Sequence, residues 1–148
     1  MFIKANLPYK HVAKYYVDTC IWLDFYFNRR GYNGEPLGKY AQEFLKNALA
    51  GNYELLYSIT VEEELSGQMS AGKVCELFQF YEFFGILKEA ILTAESIEEA
   101  KLLKKKAQIP LGDAIHFILA KKNQAILVTR DNHFREFKGQ CKRPEELI

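Results

Sequence analysis

Cysteine, proline and long apolar runs are all scarce in this 148-residue chain. Its three cysteines lie far apart and form no CxxC pair, which argues against a disulfide framework and a cysteine-rich zinc site. No stretch approaches the roughly 18 uncharged apolar residues of a membrane span, and lysines interrupt the N-terminus where a signal peptide needs an apolar core. The GxGxxG and GxxxxGK[ST] phosphate-binding motifs are also absent. We therefore expect a cytoplasmic protein with reduced cysteines and no membrane contact.

An excess of charge of either sign is missing too. Lysine and arginine number 20 and acidic residues 19, for a formal net charge of +1. The chain is therefore not a uniformly basic nucleic-acid coat, and any nucleic-acid contact must come from a local site. Hydrophobic residues make up 49% and charged residues 26%, which is typical of one globular domain at this length.

Aspartate is the scarcest of the charged residues. Only four of the 19 acids are aspartates: Asp18, Asp24, Asp113 and Asp131. Aspartate is the short, stiff carboxylate that favours helix caps and hard-metal sites. The positions of these four residues are therefore informative.

Apolar segments alternate between strand and helix patterns along the chain. The patterns predict strands at 15–19, 54–59, 86–93 and 125–129, with a possible edge strand in the tail 141–148. They predict helices at 20–28, 37–49, 60–67, 72–85, 95–107 and 111–122, and a short helical turn at 131–137. Apolar strands separated by helices are typical of a parallel sheet covered on both faces, so we expect a three-layer α/β/α sandwich. Residues 1–14 carry no strong period and are assigned to an N-terminal extension before a single domain at 15–148.

The acids cluster at one predicted edge of this sheet. Asp18 falls at the carboxyl end of the first strand, and Asp131 lies two residues beyond the strand at 125–129. Glutamates 62–64 follow the second strand closely, and Asp113 lies in the first turn of the helix that leads into the last of these strands. Because the functional crevice of a parallel sheet lies at the carboxyl ends of its strands, we expect these carboxylates to converge.

Each of these acids also has a purely structural explanation. Asp18 and Asp131 suit helix N-caps, Thr60-x-x-Glu63 matches a capping box, and Asp113 gains from a helix dipole. Capping does not require all four acids to converge, however, and closely spaced carboxylates repel unless they are protonated or neutralised. Oxygen ligands without a cysteine or histidine pair favour Mg²⁺ or Mn²⁺. Such a site predicts metal-dependent phosphodiester hydrolysis.

Four segments resemble the PIN-domain ribonucleases, and among them the VapC-like toxins of prokaryotic toxin–antitoxin pairs. The segments follow the order of that family: YYVDTCIWLD (15–24), SITVEEELSG (58–67), GDAIHFILA (112–120) and ILVTRDNHF (126–134). The resemblance implies a PIN-type sandwich, an RNA substrate, a homodimer and an antitoxin partner.

The resemblance also implies a set of site residues. The catalytic and metal-binding acids become Asp18, Glu63, Asp113 and Asp131, with Glu63 preferred over Glu62 and Glu64 from its spacing to Ile59, Thr60, Leu65 and Gly67. Thr129 matches the hydroxyl residue before the last acid and is expected to hold a water at the metal. Two departures from the family pattern are Cys20, where asparagine or serine is common, and His133, where a second acid often occurs.

Other side chains near these motifs are open to two interpretations. Arg29, Arg30 and Arg130 are candidates for holding RNA phosphate near the acids. Asp24 is expected to face away from the site, at the surface or behind the ligands. His116 lies one helical turn after Asp113, where packing under the sheet edge is favoured over contact with the site.

Two apolar helices are candidate interfaces with a partner protein. The segment 72–85 is apolar on nearly every side, which favours an interface because a chain of this size cannot bury many such helices. The aromatic-rich helix at 20–27 suits a dimer or antitoxin surface, although core burial is preferred for Trp22 and Phe25. The predicted function is a Mg²⁺- or Mn²⁺-dependent endoribonuclease. The alternative is a non-catalytic RNA- or protein-binding module.

Overall fold

Short strands and helices alternate along the chain in the computed structural model, which describes residues 12–137 and 139–148. The strands are β1 (Ala13–Val17), β2 (Tyr53–Tyr57), β3 (Leu87–Glu89), β4 (Ile126–Val128) and β5 (Cys141–Lys142). The α-helices are α1 (Thr19–Phe27), α2 (Leu37–Leu49), α3 (Ile59–Ser66), α4 (Ala71–Phe83), α5 (Ala94–Ala107) and α6 (Leu111–Lys122). Two 3₁₀ segments, Asn132–Phe137 and Pro144–Glu146, flank β5.

The strands form one sheet in the order β3-β2-β1-β4-β5, and each neighbouring pair is parallel. This confirms the predicted α/β class. The chain moves from β1 outward on one side through β2 and β3, and on the other side through β4 and β5. The strand order therefore reverses at β1, whose carboxyl end is the point where a parallel sheet opens a crevice.

The strand boundaries differ from the predicted ones by one or more residues, and most clearly at β1 and β3. β1 begins at Ala13, which pairs with Tyr53, so residues 13 and 14 are part of the sheet. The rest of the predicted extension, residues 1–11, lies outside the described residues. β3 has only three residues, of which Leu87 is buried and the next two are exposed, because this edge strand pairs with β2 alone.

Helix α4 has two faces rather than a uniformly buried surface. Phe78 and Tyr81 are buried and pack their rings on the fully buried Trp22 of α1, at centroid distances of 5.0 and 5.6 Å. This confirms core burial of Trp22. Phe83 at the end of the helix is 84% exposed, and Phe80 is half exposed. Within the described ranges no helix is both long and apolar enough to cross a membrane.

A partly buried ion-pair triad fastens the C-terminal segment to the helical layer. Arg130, just after β4, donates from Nε to Asp24 Oδ2 at 2.9 Å and from Nη1 to Glu145 Oε2 at 2.7 Å. Asp24 is only 4% exposed, which excludes the surface position, one of the two positions that its spacing from Asp18 suggested. The triad joins α1, the end of β4 and the second 3₁₀ segment.

Replacing Arg130 by Met should lower the free energy of unfolding by about 3 kcal/mol, because removing one partner leaves Asp24 as an uncompensated buried charge. Urea denaturation followed by circular dichroism measures the difference. Arg135→Met is the matched control, since Arg135 is exposed and its loss should change stability by no more than about 0.5 kcal/mol. Equal stability of the two variants would contradict this role of the triad.

Candidate metal centre

Asp18 lies where β1 ends and α1 begins. It is the N-cap of α1, and its Oδ1 accepts a hydrogen bond from the backbone N–H of Thr19 at 2.7 Å. Its own backbone N–H donates to the carbonyl of Val128 at 3.0 Å, which continues the pairing of β1 with β4. The side chain is therefore a helix cap and is also fixed at the carboxyl edge of the central strand.

The hydroxyl of Thr129 connects Asp18 to Asp131. Thr129 Oγ1 donates to Asp18 Oδ2 at 2.7 Å and accepts from the backbone N–H of Asp131 at 3.0 Å. The thiol of Cys20 lies beside both, 3.7 Å from Asp18 Oδ2, and burial raises its pKa well above the usual value. A hydroxyl that donates to one carboxylate and fixes the backbone of the next keeps the two strand ends in register.

Asp18 belongs to a first group of three converging ligand atoms, with Glu64 and His116. His116 Nε2 lies 2.7 Å from Glu64 Oε1 and 3.6 Å from Asp18 Oδ1. Burial by itself lowers the pKa of His116, but the hydrogen bond to Glu64 and the nearby carboxylates raise it above its ordinary value. His116 is thus buried and also in contact with the acids, where packing alone was favoured from the sequence.

Buried hydroxyls hold His116 from behind. Its Nδ1 lies 2.8 Å from the hydroxyl of Tyr16, which in turn lies 2.6 Å from Ser58 Oγ. Tyr16, Ser58 and His116 are all 0% exposed. These hydrogen bonds connect the end of β2, strand β1 and helix α6. They fix the orientation of the imidazole that contacts Glu64.

The structure brings Glu64, rather than the preferred Glu63, to this group. Helical spacing does not separate Glu64 from Glu62, since each lies three residues from one of the buried Val61 and Leu65 and one residue from the other. Glu64, whose side chain is 41% exposed, is the one whose carboxylate lies 2.7 Å from His116 of α6. Glu63 is exposed and belongs to neither group of converging ligands among the described residues. The expected capping box is also not formed, because α3 begins at Ile59, with Ser58 rather than Thr60 at its N-cap.

Glu62 points toward different neighbours. Its pKa is raised by burial and by the charges of Glu89 and Glu82, which lie near the end of β3 and on α4. These acids are not members of the ligand groups that contain Asp18 and Asp113. The choice among the three consecutive glutamates therefore goes to the one whose carboxylate contacts His116.

A second group consists of Asp113, Asp131 and His133. His133 Nδ1 lies 2.7 Å from Asp113 Oδ2 and 2.8 Å from Asp131 Oδ1. Burial, together with the charges of Asp131 and Asp18 and despite the hydrogen bond from His133, raises the pKa of Asp113 to about 6. The hydrogen bond to Asp113 and the charge of Asp131 raise the pKa of His133. Sequence reasoning recorded His133 only as a departure from the family, so its contact with both acids was missed.

The donor set fits a divalent cation. Each group offers two carboxylate oxygens and one imidazole nitrogen within 4.8 Å of one another. Four carboxylates at one edge repel strongly unless positive charge or protons offset them. Carboxylate oxygens suit Mg²⁺ and Mn²⁺, and imidazole nitrogen is more readily accepted by Mn²⁺ and later transition metals than by Mg²⁺.

The three arginines singled out from the sequence do not reach the acids as free cations. Arg130 uses its guanidinium on Asp24 and Glu145. Arg29 and Arg30 follow the far end of α1, about 13 Å along the helix from its first residue. Arg29 stacks over the ring of Phe27 at 5.8 Å, and Arg30 donates to the carbonyl of Gly34. These positions do not support the predicted phosphate contacts.

The PIN domain family model matches residues 15–140, which is most of the chain. The chain belongs to the PIN domain family. PIN domains are generally nucleases that use divalent metal ions, in keeping with an acidic edge that fits such an ion. A search of curated proteins finds no match.

Solved structures with the same fold include toxin–antitoxin complexes. A chain of a toxin–antitoxin complex from Klebsiella pneumoniae superposes with a TM-score of 0.63 at 19% identity, covering 87% of this chain and 96% of its own. A chain of VapBC2 from Rickettsia felis, solved with a promoter DNA fragment, gives 0.60 at 16% identity over 88% and 98%. A chain of VapBC-1 from nontypeable Haemophilus influenzae gives 0.59 at 16% identity over 89% and 98%.

Replacing Tyr16 by Phe in this PIN domain should lower the free energy of unfolding by about 1 to 3 kcal/mol, because Ser58 Oγ and His116 Nδ1 both lose a buried partner. Thermal and urea denaturation measure the loss. Tyr26→Phe, at a partly exposed position on α1, should stay within about 0.5 kcal/mol of the wild type. If the Tyr16→Phe protein were as stable as the Tyr26→Phe protein, the buried hydrogen bonds of Tyr16 would make no contribution to the free energy of unfolding.

Proposed function

We propose that this PIN domain is a Mg²⁺- or Mn²⁺-dependent endoribonuclease that acts as the toxin of a toxin–antitoxin pair in the cytoplasm. One observation carries the proposal: Asp18 with Glu64, and Asp113 with Asp131, form two groups of converging carboxylates at the carboxyl edge of the sheet, and each group includes an imidazole. In this assignment Glu64 replaces Glu63 as the fourth acid. A non-catalytic binding module would not need this costly gathering of like charges.

The residues of the site have different roles. Asp18, Glu64, Asp113 and Asp131 would hold one or two divalent cations, which would lower the pKa of a water molecule and offset charge on the phosphodiester. Thr129 fixes the carboxylate of Asp18 and the backbone of Asp131, so the ligands are oriented before substrate arrives. His116 and His133 each contact two carboxylates and hold them against their mutual repulsion.

Glu64→Gln should abolish RNA cleavage and weaken Mn²⁺ binding by at least about tenfold, whereas Glu63→Gln should leave both unchanged, because only Glu64 faces Asp18. Cleavage of a mixed single-stranded and structured RNA pool measures the first effect, and isothermal titration calorimetry with Mn²⁺ measures the second. Asp18→Asn is the reference for a lost ligand, and EDTA is the reference for a lost metal.

The paired variants separate the possible errors. Loss of activity in Glu63→Gln with retention in Glu64→Gln would return the fourth acid to Glu63. Full activity of Asp18→Asn, or cleavage that persists in EDTA, would overturn the metal site. Mn²⁺ binding without cleavage of RNA would support the alternative of a non-catalytic module.

We also propose that this PIN domain forms a homodimer and is inhibited by an antitoxin. The solved structures of similar fold are toxin–antitoxin complexes, which supports a protein partner. At the end of α4, Phe80, Phe83 and Phe84 form a cluster of exposed rings, with Phe84 5.3 Å from each of the other two. Such a cluster is costly in water, and a second copy of the chain would bury it.

Phe83→Lys should convert the dimer to a monomer, because a charge at the most exposed ring of the cluster opposes burial. Sedimentation velocity measures the mass of each form. Phe27→Lys is a matched control at an exposed ring on α1. A wild-type protein that sediments as a monomer would contradict the dimer, and a Phe27→Lys variant that alone dissociates would move the interface to α1.

A further inference from the structure

A cleft of about 450 Å³ opens beside the acidic site. Its walls come from the end of β4, the first 3₁₀ segment and the C-terminal segment around β5, and Thr129 and Asp131 belong to both the cleft and the site. Its volume is in the range of pockets that hold one small-molecule-sized group. Whatever occupies this cleft therefore lies next to the carboxylates.

The cleft is lined by unpaired cations. Arg135, Lys142 and Arg143 all line it, and in the described part of the chain none of the three forms an ion pair with a carboxylate. The nearby acid Glu146 accepts a hydrogen bond from the backbone N–H of Arg143. Convergent cations without acidic partners favour a bound anion.

The partly buried triad occupies a fourth cation of the cleft. Arg130 also lines the cleft, and its guanidinium pairs with Asp24 and Glu145. Asp131 and Glu146 line the cleft as well, so its wall carries four cations and two acids. The remaining guanidinium groups keep their donor atoms available, and guanidinium binds phosphate through paired hydrogen bonds.

We propose that this cleft binds the phosphate of a nucleotide adjacent to the scissile bond in single-stranded RNA. The inference rests on the proposed nuclease function and adds the place where the substrate backbone is held. Phe134, the ring that lines the cleft, is only 3% exposed and offers no stacking face, so the contact reads the backbone and not the base. The cations of the cleft therefore have the phosphate-binding role that the sequence analysis assigned to Arg29, Arg30 and Arg130.

The test compares two charge-matched double variants of the full chain. Arg135→Gln/Arg143→Gln removes two cations from the cleft, and Lys46→Gln/Lys121→Gln removes two exposed cations from helix ends that lead into the opposite edge of the sheet. Binding of a fluorescein-labelled single-stranded RNA is measured by anisotropy in EDTA at several salt concentrations. Steady-state cleavage in Mn²⁺ is measured in parallel, and circular dichroism checks that each variant folds.

The cleft variant should bind RNA roughly 10- to 100-fold more weakly, since it loses two charge-assisted contacts. Its salt dependence should fall by about 1.4 in log–log slope, at about 0.7 per lost phosphate contact. In cleavage it should raise KM and leave kcat unchanged, because Arg135 and Arg143 are not among the residues that would hold the metal at the reacting bond. Arg135→Lys/Arg143→Lys, which keeps the charge, should recover most of the binding, and the Lys46→Gln/Lys121→Gln protein should behave as wild type.

Each other result overturns a defined part of the argument. Normal cleavage with an unchanged KM in the cleft variant would overturn the cleft and leave the nuclease intact. Binding that depends on the cleft, without cleavage by the wild type, would overturn the nuclease and keep the cleft as an RNA site. No binding and no cleavage by the wild type would overturn both. Unchanged RNA binding with weakened binding of a labelled polyglutamate peptide would assign the cleft to an acidic protein segment instead.

Discussion

The hydrogen bond from Thr129 to Asp18 joins the two halves of the acidic edge. β1 and β4 pair so that Val17 lies opposite Val128. Asp18 directly follows Val17 and Thr129 directly follows Val128, so the two residues are neighbours at the ends of the strands. The same hydroxyl accepts from the backbone of Asp131, so one side chain sets the position of two acids. A parallel pair of central strands makes this possible, because both strands end at the same edge.

The acids at this edge need positive charge or hydrogen-bond donors nearby. Each half supplies an imidazole shared between two carboxylates: His116 with Asp18 and Glu64, and His133 with Asp113 and Asp131. The two imidazoles differ in setting, since His116 is fully buried and held by Tyr16 while His133 is half exposed. A rigid half and an accessible half give an edge that is organised on one side and open to solvent on the other.

Much of the architecture was predictable from the sequence, because strand, helix and turn patterns are local. The span of α6 matches the predicted 111–122, and α2 and α3 end where glycine was expected to stop them. The placement of Asp18 and Asp131 at the carboxyl edge, where Thr129 connects them, was also predictable, since it follows from the order of elements in a parallel sheet. Short-range pattern and topology together account for these features.

The remaining site features needed three-dimensional information of two kinds. Glu64 carried only a partial signal, because Glu62 and Glu64 lie equally far around the helix from the buried Val61 and Leu65, and only the position of His116 separates them. The Asp24–Arg130–Glu145 triad carried none, because its members are 106 and 15 positions apart in the chain. Long-range pairing of charged residues has no local period, so neither the burial of Asp24 nor the engagement of Arg130 could be predicted.

A net charge near zero hides a strong separation of charge in this molecule. Carboxylates occupy the carboxyl edge at β1 and β4, whereas four cations and two acids line the adjoining cleft near β5, and three of those cations form no ion pair among the described residues. Arg130 lies at the boundary and neutralises the two acids that would otherwise reduce the positive field of the cleft. A polyanion that must approach four carboxylates is repelled by them and attracted by the cleft beside them. The triad that stabilises the C-terminal segment therefore also determines how the two fields meet, which links the stability of the fold to the electrostatics of its site.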